Sequence, residues 1–208
     1  MFARPLLACL LLVSTLSALA AGEPRTVVFV GDSITAGYGL ESPAAEAYPA
    51  LIQARIDAAG LGWRVVNAGI SGDTTAGGLR RIDWILRQPV DILVVALGGN
   101  DGLRGIDPAV TRANLQGIID RARRRQPAIR IVLAGMQMPA NMSEDFRRQY
   151  QAVFPELAAR NGATLIPFLL EGVGAVPELN QADLIHPTAQ GQSVIAGTVW
   201  GHLRSLLQ

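Results

Sequence analysis

Ile92 to Leu97 is a run of six apolar residues, Ile-Leu-Val-Val-Ala-Leu, stopped at once by Gly98-Gly99-Asn100-Asp101. So short and unrelieved a run reads as a strand covered on both faces, because a strand with one wet face alternates apolar with polar. The chain repeats the arrangement. Val27–Val30, Trp63–Val66, Ile129–Ala134 and Thr164–Ile166 are further short strands, and apolar residues recur between them at helical spacing. Those series are Tyr48, Leu51, Ile52, Ile56 and Ala59; Leu79, Ile82, Ile85 and Leu86; Leu115, Ile118, Ile119 and Ala122; and Phe146, Tyr150, Val153, Phe154 and Leu157. Gly60 ends the first helix, Pro89 stops the second, and Asp107 with Pro108 caps and opens the third. Pro155 is expected to kink the fourth, and a closing helix runs to about Leu207.

Strands alternating with helices predict a three-layer α/β/α fold around a five-stranded parallel sheet, in the flavodoxin-like order 2-1-3-4-5. That order sets the segments ending in Ser33, Gly72 and Asn100 side by side on the carboxyl edge, where such sheets keep their binding crevice.

Residues 1–20 read as an export signal: Arg4, an apolar run from Leu6 to Val13, and Ala18-Leu19-Ala20 as a small-residue cleavage site. Cleavage after Ala20 directs the chain to the periplasm or the medium and removes Cys9, the single cysteine. The mature chain then has no thiol for catalysis or metal binding. Loss of Arg4 brings the 18 basic residues level with the 17 acidic ones, so bulk charge gives nucleic acid no hold. Arg121, Arg123, Arg124 and Arg125 read as the solvated, dipole-complementing end of a helix. Residues 21–208 suffice for one domain. No coiled coil or long exposed strand edge is evident, and a monomer is expected.

Ser33 leaves the first strand in Val27-Val-Phe-Val-Gly-Asp-Ser-Ile-Thr35. A serine hydroxyl needs a base to take its proton, and the base works best when a third group orients it. The chain has two histidines and no lysine. His202 falls within the closing helix and reads as structural. His186, held in a turn by Pro187, has Asp183 three residues earlier, a spacing that lets the carboxylate meet one ring nitrogen and leaves the other for Ser33. Backbone N–H at Gly72 and the amide of Asn100 could serve a developing oxyanion. Each of these residues, taken singly, also fits ordinary turn or cap chemistry.

Four blocks together carry a resemblance. Gly31-Asp32-Ser33-Ile34, Gly72 within Asn67-Ala-Gly-Ile-Ser-Gly-Asp73, Gly98-Gly99-Asn100-Asp101, and Asp183-x-x-His186-Pro187 resemble, in order, the sequence blocks of the SGNH (GDSL-type) hydrolases. The chain is most similar to their bacterial thioesterase, lysophospholipase and arylesterase group, with Ile34 standing where the motif has leucine. The resemblance implies a triad of Ser33, His186 and Asp183, with an oxyanion hole from the N–H groups of Ser33 and Gly72 and the side chain of Asn100. It also implies hydrolysis of acyl esters and thioesters through an acyl-enzyme, with no metal or cofactor. Asp32, Asp73 and Asp101 could otherwise suggest a metallohydrolase, but one usable histidine is a poor ligand supply.

Past the leader, every methionine lies between Met136 and Ser143. Methionine suits adaptable apolar surfaces. Met136, Met138, Pro139 and Met142, with Phe168, Leu169 and Leu170 as a second wall, are therefore expected to form an acyl-chain groove for a lipid-like substrate, with transient contact to membrane lipid. Two alternatives stay open: carbohydrate O-deacetylation within the same superfamily, and a periplasmic binding protein with a dead site.

Overall fold

The computed structural model describes residues 24–208. The leader, its cleavage site and Cys9 lie outside the described residues. Five strands, β1 (Arg25–Gly31), β2 (Trp63–Gly69), β3 (Ile92–Ala96), β4 (Arg130–Ala134) and β5 (Thr164–Ile166), form one parallel sheet in the order β2-β1-β3-β4-β5, as the sequence predicts. β3 is buried at every position, whereas the edge strand β2 exposes Arg64 and Asn67. That difference explains why β2 outruns its sequence estimate. Its last three residues, Asn67-Ala68-Gly69, pair with Phe29, Val30 and Gly31 of β1 although they are not an apolar run.

The long helices are α3 (Tyr48–Ala58), α4 (Thr75–Ile85), α6 (Pro108–Arg125), α7 (Glu144–Asn161) and α8 (Ala189–Leu203). α4, α6 and α7 pack side by side on one face of the sheet, and α3 packs against α8 on the other. All but α3 start on a side-chain cap: the Asp107 side chain accepts from Ala109 N–H at the head of α6, and Ser143 accepts from Phe146 N–H at the head of α7. α7 runs on through Pro155. Proline has no N–H for the carbonyl of Gln151, but both residues are exposed, so water can take the bond.

Three one-turn helices escape the sequence reading: α1 (Ser33–Ala36), α2 (Pro43–Glu46) and α5 (Gly99–Leu103). Four or five residues are too few to show a period, and α5 is Gly-Asn-Asp-Gly-Leu. The arginines ending α6 are not all free in solvent. Arg121 donates to Leu79 O of α4 at 2.9 Å and pairs with Asp83 at 3.0 Å, and Arg123 donates to Asn161 O at the end of α7.

Candidate active site

β1 delivers its last residue, Gly31, directly beneath α1. A Cβ on Gly31 would lie 1.9 Å from Thr35 Oγ1, so any side chain would push α1 off the strand. The chain turns at Asp32, whose carboxylate accepts from Ile34 N–H at 3.1 Å and caps α1. Ser33 is thus the first residue of a capped helical turn, held with its hydroxyl at the sheet's carboxyl edge.

Three long-range contacts fix α1. Tyr48 OH meets Thr35 Oγ1 at 2.8 Å, Asn67 Nδ2 donates to Thr35 O at 2.8 Å, and Gln192 Nε2 of α8 donates to Ile34 O at 3.0 Å. Gln192 accepts from Tyr48 N–H as well. The helix that follows His186 is therefore bolted to the turn that carries Ser33.

His186 lies across this junction. Its Nε2 is 3.0 Å from Ser33 Oγ, and its Nδ1 is 2.6 Å from Asp183 Oδ2. Asp183 Oδ1 accepts from the N–H groups of Ile185 (2.9 Å) and His186 (3.0 Å), so one carboxylate shapes the turn and holds the ring. Those bonds, the ring's first and the backbone's next, hold the Asp183 carboxyl down to about 2. Tyr38 leans on the imidazole with ring centroids 4.6 Å apart.

Gly72 adopts φ 78°, a left-handed conformation that a side chain would strain. Among the described residues neither its N–H nor that of Ser33 meets a protein acceptor. Asn100 does not close its own turn. Its Nδ2 donates to Asp73 O at 2.9 Å, fastening α5 to the loop that carries Gly72.

The sequence gives no signal for the supports behind these groups. Arg81 of α4 pairs with Asp73 at 2.7 Å and donates to Ala68 O at 2.7 Å and Gly31 O at 3.1 Å, joining the ends of β1 and β2 to the Gly72 loop. Asp101, fully buried, accepts from Thr75 N–H at 2.8 Å and from the Thr75 hydroxyl, tying α5 to the start of α4. Asp32, Asp73 and Asp101 thus have separate partners: the α1 backbone, a guanidinium and a threonine. His202 lies in the last turn of α8, far along the chain's closing helix from the His186 turn.

Burial lifts the Asp32 carboxyl to about 6, against the opposing Ile34 hydrogen bond. The unfolded chain releases this proton at the ordinary carboxylate pKa while the folded chain retains it, so stability falls as pH rises through that interval. The loss amounts to about 3 kcal/mol above the folded value. Asn at position 32 keeps the capping oxygen and removes the charge. Thermal melts of Asp32→Asn should accordingly gain on wild type between pH 4 and pH 7. A gap that is constant or shrinks with pH would show that burial of this charge is not what Asp32 costs.

Beside Ser33 opens an apolar cavity of about 380 Å³. Ile34 and Leu103 line it near the serine, Met136, Met138 and Pro139 from the loop after β4, and Phe168 from the loop after β5. Two expected lining residues are absent. Leu169 is fully buried in the core, so of that expected pair only Leu170 lines the cavity, because a loop without periodicity does not reveal which residue turns inward. Met142 lies beyond the cavity's wall. Leu184 and Ile185, between Asp183 and His186, complete the mouth and were not anticipated.

Comparison with known proteins gives the chain a family. Residues 29–194 match the family model described as GDSL-like Lipase/Acylhydrolase. The chain is 42% identical over 200 residues to Esterase TesA of Pseudomonas aeruginosa, covering 96% of each chain. It is 37% identical over 195 residues to Thioesterase 1/protease 1/lysophospholipase L1 of Escherichia coli K12, covering 90% of this chain and 87% of the other. A crystal structure of TesA superposes with a TM-score of 0.83 at 40% identity, covering 88% of this chain and 99% of that one. The chain belongs to the GDSL-like lipase/acylhydrolase family.

Proposed function

We propose that the chain is a serine hydrolase that cleaves carboxylic esters and thioesters of acyl chains, with Ser33 as nucleophile, His186 as general base and acid, and Asp183 as the group that orients it. The observation that carries this reading is the unbroken sequence of contacts from Asp183 Oδ2 through His186 to Ser33 Oγ, at 2.6 and 3.0 Å. Ser33 Oγ attacks the acyl carbonyl as its proton passes to His186 Nε2, and the charge on Asp183 stabilises the imidazolium. The carbonyl oxygen becomes an oxyanion facing the N–H groups of Ser33 and Gly72 and the amide of Asn100. His186 then protonates the leaving alcohol or thiol. Water repeats the cycle on the acyl-enzyme and releases the acid.

The cavity supports an acyl group as the part retained on the enzyme, since methionine, leucine and phenylalanine line it. The same lining disfavours carbohydrate, which needs convergent polar groups. Tyr38, Ile70, Leu184 and Ile185 on the loops at this edge, with Leu103 at the end of α5, are exposed apolar residues, a rim suited to brief contact with lipid. Residues 21–208 form the mature hydrolase domain in this reading, exported by the leader at 1–20 and acting as a monomer.

A fluorophosphonate probe should label the wild-type protein, with the adduct mapping to the peptide containing Ser33. A protein that resists the probe while folded, and that hydrolyses no acyl ester, would leave the binding-protein reading in its place. Asn100→Ala should lower kcat by on the order of 10² to 10³, the effect of losing one oxyanion donor. KM and the melting temperature should move far less. A near-wild-type kcat removes Asn100 from the mechanism.

A further inference from the structure

Among the described residues only two that are not glycine hold a left-handed backbone, Ala175 at φ 61° and Leu184 at φ 57°. They sit on different loops, yet both line the cavity beside Ser33. A side chain in this conformation crowds its own backbone, and glycine would adopt it without strain. Among the described residues glycine takes eight other positive-φ positions. At Gly60, Gly105 and Gly162 a Cβ would meet nothing within 4 Å, so conformation alone calls for glycine there, whereas Ala175 and Leu184 carry side chains on the same backbone.

Local hydrogen bonds hold both turns. At Leu184, Asp183 Oδ1 gathers the next two N–H groups while Leu184 N–H donates to Gln181 O at 2.9 Å. At Ala175, the buried Asn180 donates to Val173 O at 2.7 Å and Val176 O at 2.8 Å, bracketing the turn. Asn180 also bridges to Pro187, which links the Ala175 turn to the His186 segment. The turn that aims the imidazole is thus the turn that sets Leu184 at the cavity mouth.

Core packing does not account for the leucine, because Leu184 is 54% exposed. We propose that Leu184, assisted by Ala175, determines acyl-chain selectivity: its side chain is an outer wall against which a chain longer than acetyl packs. The backbone strain is kept for apolar contact with substrate, and a two-carbon acyl group is too short to use it. This inference rests on the acyl-hydrolase reading above.

The test compares wild type, Leu184→Gly, Leu184→Asn and Ala175→Gly on p-nitrophenyl acetate, butyrate, octanoate and dodecanoate, with a thermal melt of each. Asparagine tolerates the left-handed backbone but presents a polar group. The octanoate-to-acetate ratio of kcat/KM should fall about fourfold to fifteenfold in both Leu184 variants, as for lost burial of one to two methylenes, and about twofold to fourfold in Ala175→Gly. Leu184→Gly should melt no lower than wild type, since it relieves the strained turn. Ratios unchanged in both Leu184 variants overturn the assignment, and a lowered melting temperature alongside would make the leucine a folding residue. Wild-type protein that hydrolyses none of these esters sinks the acyl-hydrolase reading and this inference together. Hydrolysis by wild type with an unaltered ratio in the variants sinks the inference alone.

Discussion

Ser33→Ala is expected to abolish fluorophosphonate labelling and to lower kcat on a p-nitrophenyl ester by on the order of 10⁴ to 10⁶, the range for removing a serine nucleophile from a triad. The residue is nearly buried, and its hydroxyl meets His186 across 153 positions of sequence. Alanine removes that one bond and leaves the Asp32 cap, Gly31 and the Gln192 contact in place. The melting temperature should therefore shift by only a few degrees, as for one hydrogen bond lost. Residual activity above the uncatalysed rate is expected, because the oxyanion donors and the acyl cavity remain. Labelling that survives the substitution places the nucleophile elsewhere.

Asp183→Asn is expected to lower kcat by on the order of 10³ to 10⁴ while the fold persists. The asparagine oxygen can still accept from the N–H groups of Ile185 and His186, so the turn is kept. Its NH₂ group, however, replaces the oxygen that faces His186 Nδ1 at 2.6 Å. A donor there selects the tautomer with its proton on Nε2, and that nitrogen can no longer take the proton of Ser33. The wild-type carboxyl, held down to about 2 by the ring and backbone N–H groups, stays ionised wherever the imidazole can act as a base. Kinetics and thermal melts on the same preparation decide the matter. A kcat within about tenfold of wild type would deny Asp183 its orienting role, since loss of the productive tautomer is worth far more.

The sheet could be read from the chain because its strands are short apolar runs and each long helix carries a cap or a stop. Ile92–Leu97 needs no partner to be recognised, and Thr164–Ile166 matches its strand residue for residue. Residues without a period were not readable. α1 and α5 are single turns, and they carry Ser33 and Asn100. The choice between Leu169 and Leu170 depends on which way a loop turns, and both residues are apolar. Arg81 gave no signal and Asp101 none for its bracing role, because their partners, Asp73, Thr75 and the carbonyls of Ala68 and Gly31, come from other segments.

By itself the sequence determined the layers, the strand order and the residue types available for catalysis. With no lysine and two histidines, one of them inside the closing helix, it left His186 as the base for any serine chemistry. Those conclusions follow from local terms: hydrophobic period, capping and the inventory of titratable groups. Only the tertiary structure decided that Asn100 reaches Asp73 O, that Arg81 locks the Gly72 loop to Gly31, and that Leu184 turns left-handed into the cavity mouth. Each of these depends on hydrogen bonds and contacts between segments far apart in sequence, and such distances exist only once the sheet has brought its loops to one edge.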